Sequence, residues 1–390
     1  MRAGLILLCL AYVLSQFFRA FLAVLTVDLE RDIGAGPEQL AFASGLWFLT
    51  FALMQIPVGW ALDRIGPRLT SSTLLLIGGG GGATLFALAT TPAHISVSMV
   101  LIGIGCSPVL MASYYIFARE FPPARFATLA ALMLGVGSVG NLVASYPTAL
   151  AAEWIGWRGT LAGLSVLSAG VALGLWFKVR DPEKVTSEAK GSLLDLLRMP
   201  VLWLILPMML VNYAPAAAIR GLWVGPYMGD VFGLTTAQIG QATMVMGVAM
   251  ILGTFAYGPL DRVFGTRKWV IFVGNLVGAI ALLALVWKID QSIWLSLALV
   301  SLVGFMGGSF PVLIAHGRAF FPPHLVGRGV TLMNLFGIGG VGLAQFASGR
   351  LHDATFASGP SAAYGAIFGF FAVAFIIGLT LYAFSRDSVD

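Results

Sequence analysis

Two arginines stand where a lipid-buried helix would ordinarily carry none. Arg19 and Arg220 each interrupt a long apolar run, and each follows a tyrosine by seven residues, Tyr12 and Tyr213. A cation at the centre of a bilayer span costs about 2.5–3.5 kcal/mol on insertion scales, so it must face a wet cavity or a partner. The guanidinium fork grips carboxylate and phosphate through two parallel hydrogen bonds. In the first run Tyr12, Ser15, Gln16 and Arg19 recur at i, i+3, i+4 and i+7 and would share one helical face. In the second, Tyr213, Ala216, Ala217 and Arg220 repeat the stripe with small residues between. Matched cations on polar stripes point to binding of an anion. The plainer alternative is an arginine that snorkels or is held by carbonyls at a gate.

Other polar groups in apolar runs are weaker candidates. His316 titrates near neutral pH and could carry a proton, donate to substrate, or simply pack. Tyr114 and Asn212 are favoured as cavity residues, although interhelical hydrogen bonds explain such side chains equally well. Asp and Glu are missing from the middle of every apolar run, which argues against export of cationic drugs and for anions. Met246 and Met250 would share a helix face and suit Cu(I), but methionine is first a packing residue, so no metal or other cofactor is expected.

These residues need a scaffold in lipid. The chain has 390 residues, of which 58% are hydrophobic and only 10% charged; a soluble domain would carry about 25% charge. The runs predict twelve spans, with cores near 4–27, 39–61, 69–91, 95–118, 126–152, 159–179, 199–229, 237–259, 268–288, 293–318, 328–350 and 362–384. The first is too long for a signal-peptide core and is read as retained. Of the 22 lysines and arginines, 16 fall on one side of this topology, which places both termini in the cytoplasm. The net charge of +5 therefore reflects topology and not nucleic-acid binding. Both cysteines, Cys9 and Cys106, lie in apolar runs, so no disulfide framework is expected. The one long polar stretch divides the chain into an N-terminal six-helix bundle (1–179), a cytoplasmic linker (180–198) and a C-terminal six-helix bundle (199–390).

The halves repeat. Gly59-Trp60-Ala61-Leu62-Asp63-Arg64-Ile65-Gly66-Pro67-Arg68 is echoed by Gly258-Pro259-Leu260-Asp261-Arg262-Val263-Phe264-Gly265-Thr266-Arg267. Asp32 precedes Asp63 by the same interval as Asp230 precedes Asp261. Arg119-Glu120-Phe121-Pro122-Pro123 is echoed by Arg318-Ala319-Phe320-Phe321-Pro322-Pro323. Gly137 and Gly140 are echoed by Gly337 and Gly340. The twin loops, Gly-x-x-x-Asp-Arg-x-Gly-x-Arg in the first half and Gly-x-x-Asp-Arg-x-x-Gly-x-Arg in the second, with the Gly156-Trp157-Arg158 element, resemble the signature of the major facilitator superfamily, over essentially the whole chain. That resemblance implies twelve transmembrane helices in two pseudo-symmetric six-helix bundles, an all-α membrane protein that rocks about a midplane site. It also implies that Asp63, Arg64, Arg68, Asp261, Arg262 and Arg267, joined by Arg119 and Arg318, form a cytoplasmic gate; setting topology is their plainer role.

The stretch Phe18-Arg19 through Asp28-Leu29, Gln55-Ile56-Pro57 and Gly59 is similar to the anion:cation symporter and organophosphate antiporter branch. In an organophosphate transporter of that branch an arginine in span one and another in span seven bind the substrate phosphate, and Arg19 and Arg220 match those positions, which implies the same role. The asparagine that often follows the first arginine by two is Phe21 here. The expectation is a monomeric secondary transporter of the bacterial inner membrane, moving a carboxylate or phosphate ester with a coupled proton or counter-anion. Its partners are the anion and the lipid bilayer, and it is not an enzyme. The rivals are an efflux pump for amphipathic compounds, suggested by the 12% aromatic content, and a transporter-like membrane sensor.

Overall fold

Lipid offers the backbone no hydrogen-bond partner, so each apolar run must satisfy its N–H and C=O groups internally, and the helix does so within one segment. The computed structural model describes residues 2–183, 193–322 and 325–388, and no strand occurs among them. Among the described residues nine helices are long and apolar enough to cross a membrane, or eleven when two bent pairs are each taken as one. A shorter apolar helix at Thr128–Val143 completes an order consistent with twelve spans. In sequence they are span one (Arg2–Phe17 and Leu22–Ile33), span two (Pro37–Leu53 and Gln55–Arg64), span three (Pro67–Ala87), span four (Pro92–Glu120), span five (Pro123–Val143) and span six (Tyr146–Lys178). Then follow span seven (Leu202–Phe232), span eight (Thr236–Phe264), span nine (Lys268–Trp287), span ten (Ile293–Arg318), span eleven (Val326–Phe356) and span twelve (Pro360–Tyr382). The chain forms two compact units, one of residues 1–186 and 236–240, the other of 187–235 and 241–390. Within the expected linker 180–198, residues 184–192 lie outside the described residues.

The interruptions were not foreseen. Span one bends by 55° at residues 18–21 and span two by 40° at Met54. Pro57 explains the second, because it cannot donate to the Leu53 carbonyl. Neither proline nor glycine lies at the first. There the Ala20 N–H reaches back only to Phe17 (3.0 Å), a tighter turn than an α-helix makes. The buried rings of Phe17, Phe18 and Phe21 cluster at the bend, and Phe21 packs on Phe86 of span three at 5.3 Å. In span seven Pro215 removes the bond to Val211, the chain bends at Tyr213, and Ile219–Trp223 widens to a π-helix.

Close packing explains the echoed glycines. A Cβ on Gly140 of span five would overlap the Val13 carbonyl of span one, and one on Gly340 of span eleven would overlap the Leu210 carbonyl of span seven. Gly137 lies against the Tyr12 ring, and Gly337 against Phe310 and Met209. Small residues let these helices meet backbone to backbone, where dispersion replaces the hydrophobic drive that lipid does not supply. Gly140→Val and Gly340→Val should each destabilise the folded protein by at least the ~1–3 kcal/mol typical of overpacking, read as a lower melting temperature in detergent. Gly163→Ala, which meets open space, should leave melting unchanged. Tolerance of both valines would show that these crossings are not tight.

Candidate functional site

Arg19 lies in the turn that breaks span one, not on the helix that carries Tyr12, Ser15 and Gln16. The expected stripe therefore stops at Phe17, and Arg19 is set off from it by the bend. Tyr12 and Gln16 do share a face: the Gln16 amide donates to the Tyr12 hydroxyl at 2.9 Å. The Arg19 guanidinium carbon lies 5.0 Å from the Phe51 ring centroid and 5.6 Å from that of Trp47, both on span two. Those rings stack on each other at 5.1 Å and 16°. Aromatic faces attract a cation, but they supply no acceptor. Arg19 Nε is buried and has no hydrogen-bond partner.

The second half places Arg220 inside the π-helical turn of span seven, and only 4% of the residue is exposed. Its Nε would be 3.2 Å from a Cβ added at Gly247 of span eight, so a glycine there makes the room. The widened turn is tied to span eleven. Gln345 Nε2 donates to the Ala218 carbonyl (3.4 Å) and Trp223 Nε1 to Ser348 Oγ (2.9 Å). Tyr213 sits at the bend itself, its ring 5.0 Å from that of Phe310. Both arginines thus occupy positions where the α-helical ladder is interrupted, which sequence periodicity does not reveal.

The weaker candidates fall elsewhere. Asn212 is fully buried, and its Nδ2 donates to Asn275 Oδ1 and Ser309 Oγ, each at 2.8 Å. That joins spans seven, nine and ten, the interhelical use the sequence allowed. Tyr114 is half-buried on span four, 6.4 Å from the Phe117 ring. His316 is fully buried, with Nε2 2.9 Å from the Arg386 carbonyl and Nδ1 2.7 Å from the Tyr382 hydroxyl. A carbonyl only accepts, so the network assigns the proton to Nε2, and neutral Nδ1 then accepts from Tyr382. The ring is committed at both nitrogens to the end of span twelve.

The twin loops use their matching residues differently. In the first, Asp63 meets Arg119 of span four at 4.0 Å, an exposed and loose pair. Arg119 also covers the Tyr115 ring at 3.9 Å and donates to the Glu183 carbonyl. In the second, Asp261 pairs within its own loop with Arg267 at 3.1 Å, both side chains largely buried. Arg64, Arg262 and Arg318 are exposed. The second glycine of each motif, Gly66 (φ 111°) and Gly265 (φ 64°), occupies backbone space that side chains rarely enter.

Each loop is closed by an acid that the sequence reading missed. Asp181, just beyond span six, accepts from the Arg68 backbone N–H at 2.8 Å and faces its guanidinium at 3.5 Å. Asp387, just beyond span twelve, accepts from the Thr266 hydroxyl and from the Arg267 and Lys268 backbone N–H groups at 3.3 and 3.0 Å. Both carboxylates sit on the positive N-terminal ends of helices, spans three and nine. Lys268 Nζ adds a bond to the Ala383 carbonyl at 2.7 Å. The available signal was a further echo, Arg180-Asp181 against Arg386-Asp387. On the other side of the membrane Asp32 accepts from Trp157 Nε1 at 2.8 Å and Asp230 from the Tyr364 hydroxyl.

The chain belongs to the Major Facilitator Superfamily, whose sequence profile matches residues 8–224 and 208–390. A bacterial homologue of the human lysosomal transporter Spinster, inward-facing and occupied, superposes with TM-score 0.79 at 18% identity over 98% of this chain and 96% of that one. A D-xylose–proton symporter superposes equally well (0.79) at 16% identity, over 98% of each. Among curated relatives, the D-galactonate transporter of Escherichia coli O6:H1 is 24% identical over 50% of this chain and 45% of its own length. A 4-hydroxybenzoate transporter of Pseudomonas putida is 29% identical over 45% and 39%. The sialic acid transporter NanX of Escherichia coli K12 is 26% identical over 68% and 67%. The first two matches thus span less than half of those relatives.

The Asp387 carboxyl feels partial burial, which would raise it, but the bonds from Thr266, Lys268 and Arg267 hold it below its ordinary value. A carboxylate lowered in the folded state stabilises above its unfolded pKa of about 3.9 and loses that contribution as pH falls through the folded value. Asp387→Asn should therefore melt earlier than the parent at pH 7. The gap should close as pH drops below about 4. A gap that persists unchanged into acid would assign the effect to something other than the carboxylate.

Proposed function

We propose that this protein is a secondary active transporter that moves a small organic anion, a carboxylate or phosphate ester, across a bacterial inner membrane by alternating access. The observation that carries the reading is the pair Arg19 and Arg220. Each is a guanidinium at a helix interruption in the equivalent span of its half. Arg19 lies on aromatic faces with Nε unpartnered, so its charge is met by no protein carboxylate in the ion pairs found among the described residues. A bound anion supplies that partner. The cargoes in those relatives' names, galactonate, 4-hydroxybenzoate and sialic acid, are all acids, which supports the carboxylate class.

In this reading Arg19 and Arg220 hold the anion, with Tyr12, Gln16, Tyr213 and Tyr114 as neighbouring donors and stacking surfaces. Asn212 holds helices together, because its donors are already engaged. His316 secures the end of span twelve for the same reason. Coupling then rests on a proton bound elsewhere or on an exchanged counter-anion, and a pH jump against an anion-loaded lumen separates the two in proteoliposomes. The protein works as a monomer with both termini in the cytoplasm, a placement that rests on the lysine and arginine asymmetry. Asp63, Arg64, Arg68 and Arg119 in one half, and Asp261, Arg262, Arg267 and Arg318 in the other, form the cytoplasmic gate.

Arg19→Ala and Arg220→Ala should each abolish binding of acid ligands by calorimetry while the purified protein stays folded. Arg19→Lys and Arg220→Lys should also bind more weakly, because an ammonium lacks the bidentate fork. Wild-type affinity in both alanine variants would remove the anion site. Asp63→Asn should shift the balance of inward- and outward-facing populations, measured by spin-label distances, and change affinity little. A large loss of affinity with unmoved populations would reassign the loop to recognition.

A further inference from the structure

We infer that the indole N–H of Trp47 is a second donor to the anion held by Arg19; this rests on the reading that Arg19 binds the anion. Trp47 lies in the first half of span two, and none of its surface is exposed. Among the described residues its Nε1 has no hydrogen-bond partner. An indole nitrogen can only donate, and buried donors nearly always meet an acceptor. Arg19 Nε is in the same condition, and its guanidinium carbon lies 5.6 Å from the Trp47 ring centroid. Two donor-only groups, both unsatisfied, therefore lie within one small volume.

The missing partner must accept from both and has no need to donate. A water molecule could accept twice, yet it would leave the guanidinium charge uncompensated. A carboxylate or phosphate answers both demands. One oxygen takes the arginine and the other the indole, at charge-assisted distances of about 2.7–2.9 Å.

The ring is also held ready. Phe48 packs edge-on at 4.9 Å, and Phe51 stacks on the other side at 5.1 Å. Gly103 of span four approaches the Trp47 backbone so closely that an added Cβ would lie 2.8 Å from its carbonyl oxygen. A donor fixed in place before binding loses little entropy when the ligand arrives.

The test compares the intact protein with Arg19→Ala, Trp47→Phe and a variant in which Trp47 is replaced by its benzothienyl analogue. That analogue keeps the bicyclic shape and exchanges the N–H for sulfur. Calorimetry with 4-hydroxybenzoate and with D-galactonate measures affinity, and melting temperature reports folding. The expected result is that the intact protein binds at least one acid and Arg19→Ala loses it. Both Trp47 variants should bind it about ten- to a hundredfold more weakly, the loss typical of a hydrogen bond to a charged group. Full affinity in the benzothienyl variant would show that the ring packs and does not donate, and would overturn the assignment of Trp47 alone. Binding of neither acid by the intact protein, or affinity retained in Arg19→Ala, would remove the Arg19 reading and the Trp47 role with it.

Discussion

A cation in hydrocarbon is tolerable only if something in the protein or its cargo compensates it, and that constraint orders the rest of this structure. Arg19 receives aromatic faces and, among the described residues, no ion pair with a carboxylate. Arg220 receives a widened helical turn and a glycine that makes room for its Nε. Among the described residues Arg19 forms none of the ion pairs that packing for stability alone would favour. A charge left short of partners in the resting protein costs stability and offers it to a ligand of opposite sign, which is how a binding site differs from a structural salt bridge.

The helix interruptions follow from the same constraint. A broken ladder frees backbone groups that lipid cannot satisfy, so each must be repaired from within. At span seven Gln345 of span eleven donates to the Ala218 carbonyl, and Ser348 holds the Trp223 indole at the end of the π-turn. At span one, four buried phenylalanines hold the bend. Around these points the spans cross at glycine, with backbone against backbone at Gly140 and Gly340. The helix starts that follow the twin loops are closed by Asp181 and Asp387, carboxylates from far along the chain. One design serves both halves. Its ion pairing differs, loose at Asp63–Arg119 and enclosed at Asp261–Arg267.

Much of this was legible in the sequence, because hydropathy, the twin Asp-Arg loops and the echoed glycines each act through local chemistry. Spans, order and family followed from them. The breaks at Arg19 and in the π-turn were not legible, because no proline or glycine lies at residues 17–21 and the five residues Ile219–Trp223 are too few to show a change of period. His316 and Asn212 looked functional because a polar residue in an apolar run gives no sign of its partners; the structure supplies Tyr382, Arg386, Asn275 and Ser309. Trp47 is not singled out by the sequence, since an unpaired indole N–H is visible only once its surroundings are known.

The central claim is that the interrupted helices hold their arginines ready for an anion. Anomalous scattering from crystals grown with 4-bromobenzoate tests it most directly, because bromine locates the ligand independently of phase bias. The account predicts a carboxylate within hydrogen-bond distance of the Arg19 or Arg220 guanidinium. Bromine found only away from both, with Arg19 still resting on Trp47 and Phe51, would contradict it.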